Sequence, residues 1–172
     1  VINNVETLAS LPPIFRMGIE SYAALGTDKS KGTRLVSLTG HINKPGNYEI
    51  ELGKFTFKSL IEELGGGMRE GRKCRAIIPG GASAPWLIPE KHFDVTVDME
   101  AIAAAGSMAG SGAIVVMDET TCAVSAALNL VEFFHEESCG KCSPCREGTQ
   151  WLEQILHRIV HGHGRTEDLD LL

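Results

Sequence analysis

Leu35-Val-Ser-Leu-Thr-Gly-His-Ile-Asn-Lys-Pro-Gly-Asn-Tyr-Glu-Ile-Glu-Leu52 is the stretch whose reading decides the fold. Leu35 to Thr39 is rich in strand-forming residues, and Asn43-Lys-Pro-Gly46 is a turn. Beyond the turn Tyr48, Ile50 and Leu52 alternate with Asn47, Glu49 and Glu51, the period of a strand with one apolar face. The stretch therefore predicts a β-hairpin. Thr56 next caps a short helix whose Leu60, Ile61 and Leu64 share one face, and Gly65-Gly-Gly67 ends it. Arg75–Ile78 and Trp86–Ile88 are further strand candidates, separated by Gly80-Gly81 and Pro85. Hairpin, helix and more strands in that order predict a small α+β domain of the β-grasp kind.

Toward the N-terminus, Val1-Ile-Asn-Asn-Val-Glu-Thr-Leu8 reads as a strand end passing into a helix, with Asn3 or Asn4 as cap and Glu6 in the first turn. Pro12 and Pro13 are expected to stop or kink that helix, and the polar run Gly26 to Gly32 is a loop. Toward the C-terminus, Asp94-Val-Thr-Val97 leads into a small, glycine-rich run from Ala101 to Gly112, and Ala113 to Met117 reads as a buried strand. Thr120 or Thr121 then caps a helix reaching about Glu137, with Val124, Leu128, Val131 and Phe133 or Phe134 on its apolar face. A second helix starts near Pro144, because Trp151, Leu152, Ile155, Leu156, Ile159 and Val160 recur at helical spacing, and Gly162 and Gly164 close it. The expected organisation is an N-terminal segment 1–32, a β-grasp domain 33–92, a connecting segment 93–118 with a buried strand, and a helical bundle 119–172 carrying the cysteine loop.

The bulk properties exclude several classes. The 172 residues carry a net charge of −6 with no basic block, which argues against nucleic acid or anionic lipid as a partner. No apolar run approaches the roughly 20 residues that span a bilayer, so direct membrane insertion is not expected. The chain opens at Val1, and Thr166 to Leu172 looks like the first turns of a helix without a stop signal, so it reads as a piece cut at both ends.

Three of the five cysteines fall in Glu137-Ser-Cys139-Gly-Lys-Cys142-Ser-Pro-Cys145, a C-x2-C-x2-C run. Thiols three residues apart in a tight loop can converge on one iron–sulfur cluster, with Gly140 supplying unusual dihedrals and backbone N–H groups aimed at the sulfides. Pro144 suits the first turn of the following helix, and Lys141 and Arg146 offset an anionic cluster. Structural zinc, with His135, His157 or Cys122 as a fourth ligand, and a Cys139–Cys142 disulfide remain alternatives on spacing alone. Cys74 and Cys122 read as small buried hydrophobes.

Glu137-Ser-Cys-Gly-Lys-Cys-Ser-Pro-Cys-Arg-Glu-Gly-Thr149 resembles the NADH-binding flavoprotein subunit of respiratory complex I, whose relatives occur in NAD-linked hydrogenases and formate dehydrogenases. Val1 to Leu8 resembles the segment ending that family's flavin domain, Gly40-His-Ile-Asn-Lys-Pro-Gly46 its soluble ligand-binding β-grasp domain, and Arg158 to Leu172 its bundle helices. The resemblance implies an oxidoreductase in which NADH passes a hydride to FMN and electrons then pass singly to a 4Fe–4S cluster, toward quinone. It places Cys139, Cys142 and Cys145 as three cluster ligands, with a fourth roughly forty residues beyond the third and so past Leu172. It places Asn3, Asn4 and Thr7 at the border of the FMN site; the residues by themselves fit a helix cap equally well. The glycine-rich phosphate loop of that family has no counterpart here, since Gly65-Gly-Gly67 follows a helix and Gly106-Ser-Met-Ala-Gly-Ser-Gly112 precedes a strand. The chain alone is therefore not expected to oxidise NADH. The resemblance also implies partner subunits of a redox complex and a cytoplasmic or mitochondrial-matrix location, peripheral to the inner membrane. The competing reading from another class is a binding module in which a zinc knot stabilises a protein-docking β-grasp domain.

Overall fold

The computed structural model describes residues 1–172, which fall into two units, Val1–Glu119 and Thr120–Leu172. The first contains helices α1 (Val5–Met17) and α2 (Ile19–Ala23), then strands β1 (Thr33–Gly40) and β2 (Gly46–Glu51). A helical turn α3 (Phe57–Ser59), strand β3 (Cys74–Ile78), helices α4 (Pro89–His92) and α5 (Met99–Ala104), and strand β4 (Ala113–Asp118) follow. β1 and β2 form the hairpin, antiparallel from Thr33 opposite Glu51 to Leu38 opposite Gly46. The four strands make one mixed sheet in the order β2-β1-β4-β3, with β1 and β4 parallel and β3 and β4 antiparallel. This is the β-grasp arrangement within an α+β fold.

The period-2 pattern explains the sheet's core face. Val36, Leu38 and Ile50 are buried, while Leu35, next to Val36 in β1, is 58% exposed. Thr56 caps α3 through a capping box with Ser59, and the helix widens into a π turn over Leu60–Leu64 that presses Leu60 and Ile61 into the core. The hairpin loop is tied to the end of that turn, because Asn43 N donates to Gly67 O at 3.0 Å and Lys44 N to Gly65 O at 2.8 Å. Segment 93–118 is more than a connection. Its β4 lies inside the sheet between β1 and β3, where Ile114 and Val116 are fully buried.

Of the two expected caps of α1 it is Asn4 that serves, its side chain accepting from Glu6 N at 2.8 Å. Several other local expectations give way. Helix α1 then runs through Pro12 and Pro13 without stopping. The missing proline N–H groups free the carbonyls of Leu8 and Ala9, and both residues are exposed, so water can satisfy them. Trp86–Ile88 forms no strand. Only Leu87 pairs, by reciprocal backbone bonds with Ile77 of 2.8 and 2.9 Å, before Pro89 opens α4. The run after Val97 holds an unforeseen helix, α5, capped by Asp98, whose side chain accepts from Ala101 N at 2.8 Å.

The second unit consists of α6 (Ala123–Glu136), α7 (Ser143–Val160) and α8 (Asp168–Leu171). Cys122 rather than Thr120 or Thr121 is the N-cap of α6. Leu128 of α6 and Ile155 and Leu156 of α7 are buried, whereas Trp151 is 63% exposed and Phe133 points outward. His135 Nδ1 and Glu153 Oε2, 2.5 Å apart, link α6 to α7. The C-terminal turn is fastened by Asp168, which is buried, pairs with Arg158 and accepts from Arg165 N at 2.9 Å. The hydrogen bond from Arg158, then the bond from Arg165, holds the Asp168 carboxyl below its ordinary value.

Two measurements check this packing. Ile114→Ala should lower the unfolding free energy by about 2–5 kcal/mol, and Leu35→Ala by well under about 1 kcal/mol, as read by urea denaturation. A lowered native carboxylate pKa contributes stability that is fully present above the unfolded value of about 3.9 and is lost as pH falls through the native value. Asp168→Asn should therefore melt at a lower temperature than the wild type at pH 7, with the gap closing as pH drops below about 4.

Candidate metal centre

The cysteine loop connects α6 to α7. Cys142 is the N-cap of α7 and Cys145 lies in its first turn, so two of the three thiols sit at the positive end of an 18-residue helix. The first N–H groups of a helix have no partner within it, and with Pro144 contributing none, those of Ser143 and Cys145 are the available donors. Cys139 precedes Gly140, whose φ of +71° lies in the left-handed region that favours glycine. The turn is held by Arg146, which donates to Gly140 O at 2.8 Å, and by Gly140 N, which donates to Ser138 Oγ at 3.3 Å. Ser138 Oγ in turn lies 3.4 Å from Cys145 Sγ.

All three thiols are exposed. They share one loop but do not converge on a point, since no trio of Cys, His, Asp or Glu is placed as a set of metal ligands. The donor chemistry nevertheless fits an iron–sulfur cluster: three accessible thiols, a glycine turn, and helix-terminal N–H groups beside two of them. A closed zinc site would need a fourth protein ligand, and none of His135, His157 and Cys122 is grouped with these thiols as a ligand set. Ser138 and the reach of Arg146 across the loop went unread in the sequence. Their contacts span seven and six residues and depend on the path of the loop, for which no pattern signals.

The other cysteines differ from expectation in one case. Cys74 is half-buried at the start of β3, and burial pushes its thiol up to about 12. Cys122 is exposed at the N-cap position of α6 rather than buried.

At the other end of the chain Asn3 is exposed, while Asn4 and Thr7 line a 420 Å³ cavity with Tyr22, Arg34, Leu52 and Met99. Glu6 crosses from α1 to accept from Leu35 N at 2.8 Å, and its other oxygen lies 4.0 Å from Arg34 Nε. The Arg34 side chain is only 10% exposed, donates to Gly110 O, and has its Nε without a hydrogen-bond partner. Nothing in the sequence around Arg34 marks it as buried. Gly65 caps the π turn, and Gly106–Gly112 runs from α5 into β4 without opening a helix, so neither glycine run forms a phosphate loop.

Comparison with known proteins adds five findings. The NADH-ubiquinone oxidoreductase-F iron-sulfur binding region family matches residues 125–172, and the SLBB domain family matches residues 34–116. One F-type subunit of the NADH-quinone oxidoreductase in Rhizobium meliloti is 49% identical over 172 residues, which is 100% of this chain and 40% of that protein. The corresponding F-type subunit in Mycobacterium bovis is 48% identical over 172 residues, again 100% of this chain and 38% of that protein. An NAD+-reducing NiFe-hydrogenase in the air-oxidized state superposes with a TM-score of 0.85 at 29% identity, over 99% of this chain and 29% of that one. The chain thus spans about two fifths of the length of the curated relatives it matches.

A thiol-reagent titration of the metal-free chain at pH 8 should show rapid reaction of Cys122, Cys139, Cys142 and Cys145. Cys74 should react far more slowly until the protein is denatured, because so little of it is thiolate.

Proposed function

We propose, from the chain's membership of the family of F-type subunits of NADH-quinone oxidoreductase, to which it is similar over its whole length, that it is the electron-transfer part of such a flavoprotein. The whole protein would then be an oxidoreductase that oxidises NADH through FMN and delivers electrons toward quinone. The observation that carries this reading is the set of three exposed thiols in the loop leading into α7 and its first turn, inside the residues matched by the iron–sulfur binding region.

Cys139, Cys142 and Cys145 would hold a 4Fe–4S cluster as thiolates, with a fourth ligand from outside these 172 residues. Such a cluster, once bound, takes up and releases electrons one at a time. Ser138 can donate to the Cys145 sulfur, and the positive end of α7 with Lys141 and Arg146 balances the negative charge of the ligands. Asn3, Asn4 and Thr7 would border the FMN, and Arg34, held through Glu6 at the end of α1, would fix the orientation of that segment.

Partner subunits of a redox complex follow from this reading. No helix is long and apolar enough to cross a membrane, so attachment on the cytoplasmic or matrix side would run through those partners. A flavoprotein component of an NAD-linked hydrogenase is the second reading, supported by the 0.85 superposition. The 49% identity to the Rhizobium meliloti quinone-reductase chain, against 29% to the hydrogenase chain, favours the first.

Single Cys139→Ser, Cys142→Ser and Cys145→Ser changes in the natural protein should each abolish or strongly alter the reduced-cluster EPR signal while leaving FMN bound. An unchanged signal in all three variants, or stoichiometric zinc without iron in the wild type, would reject the assignment.

A further inference from the structure

The far end of α7 bears a second pair of potential ligands that the cysteine chemistry does not use. A spacing of four residues puts His157 and His161 on one face of the helix. Their rings stack, with centroids 4.0 Å apart and planes inclined by 25°, and both side chains are exposed. His161 Nδ1 lies 2.8 Å from the His157 carbonyl oxygen. A carbonyl oxygen only accepts, so Nδ1 carries the proton and the neutral ring presents its lone pair at Nε2. Metal-binding histidines are held in this way, one ring nitrogen donating to a carbonyl and the other left to coordinate.

The location also favours a cation. His157 stands in the last turn of α7 and His161 is its C-cap, at the negative end of the helix dipole. Arg158, the cation nearest in sequence, is drawn off by its pair with Asp168.

We propose that His157 and His161 form a two-imidazole site for a borderline divalent transition-metal ion of the Zn2+, Ni2+ or Cu2+ class. Two histidines at i and i+4 on one helix are a ligand pair that bridges a single ion, and water completes the coordination. The ion would pin the last turn of α7, where Gly162 leaves the helix with a φ of +76°. The site is separate from the cysteine loop, lying roughly 22 Å along the helix from Cys142 at about 1.5 Å per residue.

The test uses Ni2+ on the full chain with its exposed thiols blocked by iodoacetamide, so that only the six histidines compete. Imidazole resonances are followed by NMR. His157 and His161 should broaden together at substoichiometric Ni2+ and saturate at one ion per chain, ahead of His41, His92, His135 and His163. His157→Ala, which keeps the backbone carbonyl that orients His161, should abolish the early broadening of His161, and His163→Ala should leave the pair unchanged. Equal broadening of all exposed histidines, or early broadening of His161 that survives His157→Ala, would overturn the proposal.

Discussion

The parallel pairing of β4 with β1 is the constraint on which the first unit depends. It joins Ser37–Gly40 to Ala113–Val116, strands separated by more than seventy residues of chain, so a long loop must close before the sheet can exist. Burial offsets that cost: Ile114 and Val116 reach zero exposure in the middle of the sheet, between partners on both sides. Everything from residue 41 to 112 is then an excursion that must start and finish at this seam. Gly40 marks its start, with a φ of +100° and no room for a side chain, since a Cβ there would meet Val116 O at 2.1 Å. Asp118 marks its finish as a buried carboxylate, tolerable because Arg72 and His41 each approach it to 3.2 Å.

The hairpin was legible because one face of each strand is buried and the other is not, which writes the alternation directly into Val36, Leu38 and Ile50. The Leu60, Ile61 and Leu64 face was legible for the same reason, although nothing told an α from a π turn. Helix α5 was not, because Met99-Glu-Ala-Ile-Ala-Ala104 buries Ile102 alone and a single apolar residue has no period. The prolines of α1 misled because their rule assumes carbonyls that must be satisfied within the protein, and those on α1 face water. The place of β4 between β1 and β3 could not be read either, since strand order is a property of the closed loop rather than of any local stretch.

The candidate site divides along the same line. Cysteine spacing is local, so Cys139, Cys142 and Cys145 stood out at once, and the helix beginning beside Pro144 followed from its apolar period. The contacts that shape the loop are not local. Arg146 reaching Gly140 O, Ser138 reaching Cys145, and Arg34 buried between Glu6 and Gly110 all depend on how the chain folds back. The residue types were visible; their partners were not.

The three thiols lie outside any hydrophobic core, and this sets how metal binding and folding are coupled. In the second unit the buried contacts are Leu128, Ile155 and Leu156 together with the His135–Glu153 and Arg158–Asp168 links, and none includes a cysteine. The helices therefore do not need the cluster in order to pack, unlike a zinc finger, where ligation and folding are one event. What a cluster must organise is only the turn from Ser138 to Cys145, already half fixed by Gly140, Ser138 and Arg146. The free energy of ligation then goes into drawing three exposed sulfurs together at the positive end of α7, and the loop is the low-stability element of an otherwise self-supporting helix pair.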